Sequence, residues 1–92
     1  MQNSQNTQVL LSCRSLTYAQ RSTRVLERAG ITATVSRLPR SVSERGCGYC
    51  VIVAPRHLDR ALERLSAAGL SPKRVFIRDA DGIREAAEHD LS

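Results

Sequence analysis

The sequence has little that stacks on bases, spans membranes or cross-links. Of its 92 residues three are aromatic (Tyr18, Tyr49 and Phe76) and none is tryptophan. That scarcity argues against a module that stacks nucleic-acid bases. No apolar run approaches the ~20 residues of a membrane-spanning helix, so no membrane partner is expected. Three cysteines, an odd number, cannot build a disulfide framework, and reduced thiols with chemistry of their own are expected. The first residues, Met1-Gln-Asn-Ser-Gln-Asn-Thr-Gln8, lack the basic and apolar stretches of a secretory signal, which points to a cytoplasmic protein. Lysine is also nearly missing, with 13 of the 14 basic residues being arginine.

What is present suits one small domain. Hydrophobic residues make up 41% and charged residues 25%, near globular averages, so wholesale disorder is excluded. The net charge of +5 favours an anionic partner, whether nucleic acid, membrane surface or small anion. Residues 1–8 read as a disordered leader, 9–79 as the folded domain, and 80–92 as a short C-terminal helix and tail.

Periodicity predicts the elements. Val9 to Cys13 is a short apolar run suited to a strand. Thr17-Tyr-Ala-Gln20 has the form of a capping box, with Thr17 as N-cap. Ala19, Ser22, Val25, Leu26 and Ala29 then recur at helical spacing, and Gly30 supplies a stop. Ile31 to Leu38 alternates as a second strand, and Tyr49 to Ala54 is the best strand in the chain. Pro55 suits a first helical turn, with Leu58, Ala61, Leu62, Leu65 and Ala68 forming the stripe that follows. Arg74 to Arg78 is a fourth strand, and Asp81-Gly82 opens the C-terminal helix. The stretches Arg24-Val-Leu-Glu-Arg-Ala-Gly-Ile31 and Arg60-Ala-Leu-Glu-Arg-Leu-Ser-Ala-Ala-Gly-Leu70 echo each other, as either common ancestry or shared helix-end chemistry would make them.

The order β-α-β-β-α-β is that of the ferredoxin-like α+β fold: a four-stranded antiparallel sheet with both helices on one face. Strands 1 and 3 should be central neighbours. The end of strand 1, the start of helix 1, the strand 2–3 loop and the start of strand 4 then meet at one edge. Cys13, Ser15, Thr17, the Arg40–Cys47 loop, Cys50 and Lys73-Arg74 should converge there, with His57 at the opposite edge. Arg45-Gly-Cys-Gly-Tyr-Cys50 is the chemical centre. Cys47 lies between Gly46 and Gly48 and is sterically open. Arg40, Arg45 and the helix amides would favour its thiolate.

The Cys47-x-x-Cys50 pair admits several readings. A thioredoxin-like site needs the pair at a helix start, whereas here it precedes a strand. Zinc needs about four ligands, and this motif supplies two, so a metal would need a dimer interface. A nucleophile with a resolving thiol is the third reading. An extended chain would hold the two Cα atoms roughly 10 Å apart, beyond disulfide reach, so a turn at the glycines would be required. Cys13, in phase with Val9 and Leu11, is expected on the helix-covered face as a buried thiol. The opposite face should carry an exposed apolar patch of Leu10, Ile52 and Phe76, suited to a protein partner or a homodimer rather than to nucleic acid.

Four stretches resemble a known family, the small selenium/sulfur carrier-like proteins. They are Ser15-Leu-Thr-Tyr-Ala19, Leu26-Glu-Arg-Ala-Gly-Ile31, Leu38-Pro-Arg-Ser-Val-Ser-Glu-Arg-Gly-Cys-Gly48 and the strand from Tyr49 to Val53. The resemblance covers roughly residues 9–79, and the Pro39-Arg40 to Cys47-Gly48 stretch is its specific part. It implies a non-enzymatic carrier that holds selenium or sulfur on Cys47 as a selenopersulfide or persulfide. The chalcogen is covalent cargo and no other cofactor is implied. A cysteine desulfurase or selenocysteine lyase would load it, and a selenophosphate synthetase or sulfur-transfer protein would receive it. Cys50 and Cys13 depart from the family pattern, which leaves the one-cysteine mechanism open. Two other classes of function stay open beside it: a protein-interaction or ligand-sensing module, and a Cys47/Cys50 redox or metal module.

Overall fold

Alternating burial along short strands builds an antiparallel sheet, and two amphipathic helices cover one side of it. The computed structural model describes residues 7–43 and 48–86. Along the chain come β1 (Gln8–Cys13), α1 (Leu16–Arg28), β2 (Thr34–Arg37), β3 (Tyr49–Val53), a 3-10 turn at Pro55–His57, α2 (Leu58–Ala67), β4 (Val75–Asp79) and β5 (Gly82–Glu85). The sheet order is β2-β3-β1-β4-β5, and every neighbouring pair is antiparallel. As expected, β1 and β3 lie side by side in the interior of the sheet, with Val9 opposite Val53 and Cys13 opposite Tyr49.

Period-2 alternation divides each strand between two faces. Val9, Leu11, Val51, Val53 and Val75 meet Ala19 and Leu26 of α1 and Ala61 and Leu65 of α2 in the main core. Both helices end by the same device. Gly30 and Gly69 take φ of +80° and +75°, conformations that side-chain-bearing residues rarely adopt. The following N–H then reaches back, Ile31 to the Leu26 carbonyl at 2.9 Å and Leu70 to the Leu65 carbonyl at 2.8 Å. The buried Ile31 and Leu70 tuck under each helix end, so the echo between the two halves is helix-stop chemistry.

Four expectations need correction. The sheet has five strands, because Gly82–Glu85 pairs with β4 where a helix was expected. The Asp79 carboxylate accepts the Asp81 N–H at 2.9 Å, Gly82 takes φ +123°, and two residues suffice to turn the chain. Asp-Gly between strands is a hairpin signal, and here it outweighs the helical spacing of the residues after it. The cap of α1 is Ser15, not Thr17. Ser15 is extended and its Oγ accepts the Tyr18 N–H at 3.2 Å, which places Thr17 inside the first turn. The second strand is short, Thr34–Arg37 rather than 31–38, because Ile31 is spent on the helix stop.

The fourth correction concerns the face away from the helices. Leu10 and Phe76 are not exposed there; they are 0% and 1% accessible and form a second small core with Cys50. Leu38 and Val42 from the loop after β2, together with Ile52 and Ile83, pack against it. An apolar residue in the Ser-rich segment, Val42, was the available signal that this loop folds back on the sheet.

Candidate functional site at the β1–α1 edge

Backbone pairing assembles the site. Cys13 ends β1 opposite Tyr49, and Tyr49 in turn lies opposite Arg37 at the end of β2. The Ser12 N–H donates to the Arg74 carbonyl, and the Lys73 N–H donates to the Ser12 carbonyl, both at 2.9 Å. The ends of β1 and β2, the starts of α1 and β3 and the approach to β4 therefore share one edge. Ser15 stands there as the α1 cap, and the exposed Thr17 lies two residues on, within the first turn. The N-terminus of α1 contributes a positive partial charge, and no acidic residue occupies its first turn.

The loop leaves and rejoins this edge at one place. The Leu38 N–H donates to the Gly48 carbonyl at 3.1 Å. A Cβ built on Gly48 would lie 3.6 Å from the Ser43 hydroxyl and 3.7 Å from Leu38. A tight turn follows Leu38, with the Val42 and Ser43 N–H groups donating to the Pro39 carbonyl and Arg40 exposed on its outside. Arg45, Gly46 and Cys47, with Glu44, lie outside the described residues.

The two described thiols differ in setting and agree in state. Cys50 is fully buried between Leu10, Phe76, Leu38 and Val42. Burial, and then the neighbouring Cys13, push its thiol up to about 11, against a smaller opposing pull from Arg78. Cys13 is half-buried on the helix side, as expected, and its thiol points to the Leu11 carbonyl at 3.5 Å. Burial raises its pKa as well, partly offset by a hydrogen bond with Ser22. Both are held as protonated thiols near neutral pH. Because β3 alternates, Cys50 sits on the loop-covered face and Cys13 on the helix face, so their side chains project from opposite sides of the sheet.

Arginines crowd the same edge: beside Arg40 and Lys73-Arg74, which the topology leads one to expect there, stand Arg14 and Arg37, which the sequence did not single out. Arg14 lies 5.0 Å from the Tyr18 ring centre, Arg37 5.5 Å from Tyr49, and Arg74 4.9 Å from Phe76. The spacing held a signal: Arg14, before the helix, precedes Tyr18 by four residues, Arg37 lies opposite Tyr49 across strands, and Arg74, just before β4, precedes Phe76 by two. Arg74 also grips both oxygens of Glu85, at 2.9 and 3.2 Å. His57 lies at the far end of the sheet, lining a concavity of about 410 Å³ with Thr32, Thr34, Ile52 and Arg56. Among the described residues, no three His, Cys, Asp or Glu side chains cluster as metal ligands do. No described helix is long and apolar enough to cross a membrane.

No curated protein and no solved structure matches the chain. Residues 8–77, from the first residue of β1 into β4, match the model of the family described as Putative Se/S carrier protein-like, so this small α+β chain, with the Cys47-Gly48 step inside the matched span, belongs to that family.

Proposed function

We propose that the protein carries sulfur or selenium as a persulfide or selenopersulfide on Cys47 and passes it to a partner enzyme. The observation that carries the proposal is family membership across residues 8–77, a span that includes Cys47. The state of the other two cysteines supports it. Cys50 and Cys13 are both biased towards the protonated thiol, a poor nucleophile and a poor home for an anionic persulfide. The positive end of α1 and the arginines of the same edge suit an anionic cargo. The strand order β2-β3-β1-β4 reads as ferredoxin-like, with β5 added at the edge.

Loading is a thiol exchange. The Cys47 thiolate attacks the terminal sulfur of a donor persulfide, R–S–SH. A new S–S bond forms on Cys47 as the donor's S–S bond breaks and the donor leaves as RS⁻. Delivery repeats the step with an acceptor thiolate. A cysteine desulfurase or selenocysteine lyase would supply the donor, and a selenophosphate synthetase or sulfur-transfer protein would be the acceptor. The carrier itself needs no acid–base machinery and is not an enzyme in this reading. It would work in the cytoplasm, where thiols stay reduced. Cys50, three residues from Cys47 and beneath the Leu38–Val42 cover, would serve as a resolving thiol only once that cover lifts.

Intact mass after incubation with a cysteine desulfurase and cysteine tests the proposal. One added sulfur is expected on the wild type and on the Cys13→Ser and Cys50→Ser variants, and none on Cys47→Ser. An adduct that persists in Cys47→Ser would overturn it.

A further inference from the structure

The edge that carries the site is electrically one-sided. Arg14, Arg37, Arg40 and Lys73 are all exposed there, and none has a carboxylate partner among the described residues. The carboxylate that the β4–β5 pairing brings to this end is Glu85, and Arg74 already holds both its oxygens. At the far end of the sheet two carboxylates, Asp79 and Asp81, stand in the β4–β5 turn, where Arg84 holds Asp79 at 3.1 Å and Asp81 is exposed. Arg14 is placed against local stability. It immediately precedes the Ser15 cap, where the helix end is already positive and where acidic residues are the favoured choice. A cation in that position adds to the helix's field instead of cancelling it.

Geometry narrows what this charge can recognise. Arg37 and Lys73 stand at the ends of strands three places apart in the sheet, so the cations spread over about 14 Å at ~4.8 Å per strand. That width exceeds one small anion. All three aromatic rings of the chain are occupied by Arg14, Arg37 and Arg74, which removes the stacking platforms that single-stranded nucleic acid uses. Stacking also holds two of the guanidinium groups in place before a partner arrives, which lowers the ordering cost of an encounter.

We infer that the Arg14–Arg37–Arg40–Lys73 rim is a docking surface for an acidic protein surface, the one that surrounds the reactive thiol of the enzyme exchanging cargo with this chain. The carrier reading enters only in identifying that partner; the recognition by charge does not require Cys47. Complementary charge of this kind raises the encounter rate and sets the approach so that the two sites face each other.

A short fluorescein-labelled oligoglutamate, read by anisotropy at low and at physiological salt, serves as the probe. The full chain should bind it in a salt-sensitive way. Arg14→Glu/Arg37→Glu should weaken binding roughly tenfold, as expected for reversing two exposed cations in a shared field. Arg40→Glu/Lys73→Glu, which disturbs no aromatic contact, should do the same. Arg24→Glu/Arg56→Glu makes the same change in net charge away from the rim and should have little effect. Circular dichroism confirms that each variant is folded. Equal weakening by the control pair would reduce the effect to net charge and overturn the inference, as would tighter binding of a single-stranded RNA oligomer than of oligoglutamate. Cys47→Ser should bind the probe as wild type does while losing the sulfur adduct, so failure of docking and failure of carriage read out separately.

Discussion

Leu10 and Leu11 are neighbours in β1, both fully buried, and they face different worlds. Leu11 points into the main core, which the sheet forms with residues of both helices. Leu10 points the other way, into a core of three buried residues closed by Leu38 and Val42 from a loop. The first environment is built from regular structure that cannot shift without breaking helix packing. The second is closed by a segment that leads directly into the 44–47 stretch and to Gly48. One face of the sheet therefore secures the fold, and the other couples the site loop to a small, yieldable core.

The sharpest way to break this comparison is to truncate each leucine. Leu11→Ala should cost about 4 kcal/mol, towards the upper end for a buried leucine, because its surroundings cannot collapse. Leu10→Ala should cost nearer 2 kcal/mol, because the loop can settle into the space. Equal losses in chemical denaturation would erase the distinction between the two faces.

A pH titration sharpens it further through Cys50. Its thiol is raised from an ordinary value near 9 to about 11 in the folded protein. The unfolded chain therefore releases this proton first as pH rises. The stability it contributes is full below pH 9 and declines between 9 and 11, by on the order of 2 kcal/mol. Cys50→Ala should flatten that decline, and an unchanged slope would show that the thiol ionises as freely folded as unfolded.

The remaining effects are smaller. Ser15→Ala removes the α1 cap and should lower stability by about 1 kcal/mol, whereas Thr17→Ala should change it little. If the two substitutions cost the same, the cap is misplaced. Val42→Ala should cost less than about 1 kcal/mol, since the side chain is only partly buried, yet it should speed labelling of Cys50 by a thiol reagent. In a Cys13→Ser/Cys47→Ser background that rate reports the cover directly, and a rate unchanged by the substitution would place the protection of Cys50 elsewhere.

Local chemistry made much of the fold legible. The apolar runs of β1 and β3, the helical stripes of α1 and α2, and the glycine stops at Gly30 and Gly69 all follow from neighbours in sequence. So does the edge that gathers Cys13, Ser15 and Gly48, because a β-α-β-β-α-β order with antiparallel inner strands leaves few other arrangements. Less legible was whatever depends on a choice between equivalent neighbours. Ser15 and Thr17 both carry hydroxyls suited to a cap, and the extended backbone at Ser15 decided between them.

Sequence by itself settled which residues could be apolar, cationic or reactive, since side-chain chemistry and local periodicity need no partner. Tertiary structure alone decided that Gly82–Glu85 is a strand, because an edge strand exists only through the neighbour it pairs with. It alone decided that Leu10, Cys50 and Phe76 lie beneath a loop, and that Arg14, Arg37 and Arg74 each meet an aromatic ring. Burial and electrostatic fields are sums over groups distant along the chain, and only folding brings those groups within range of one another.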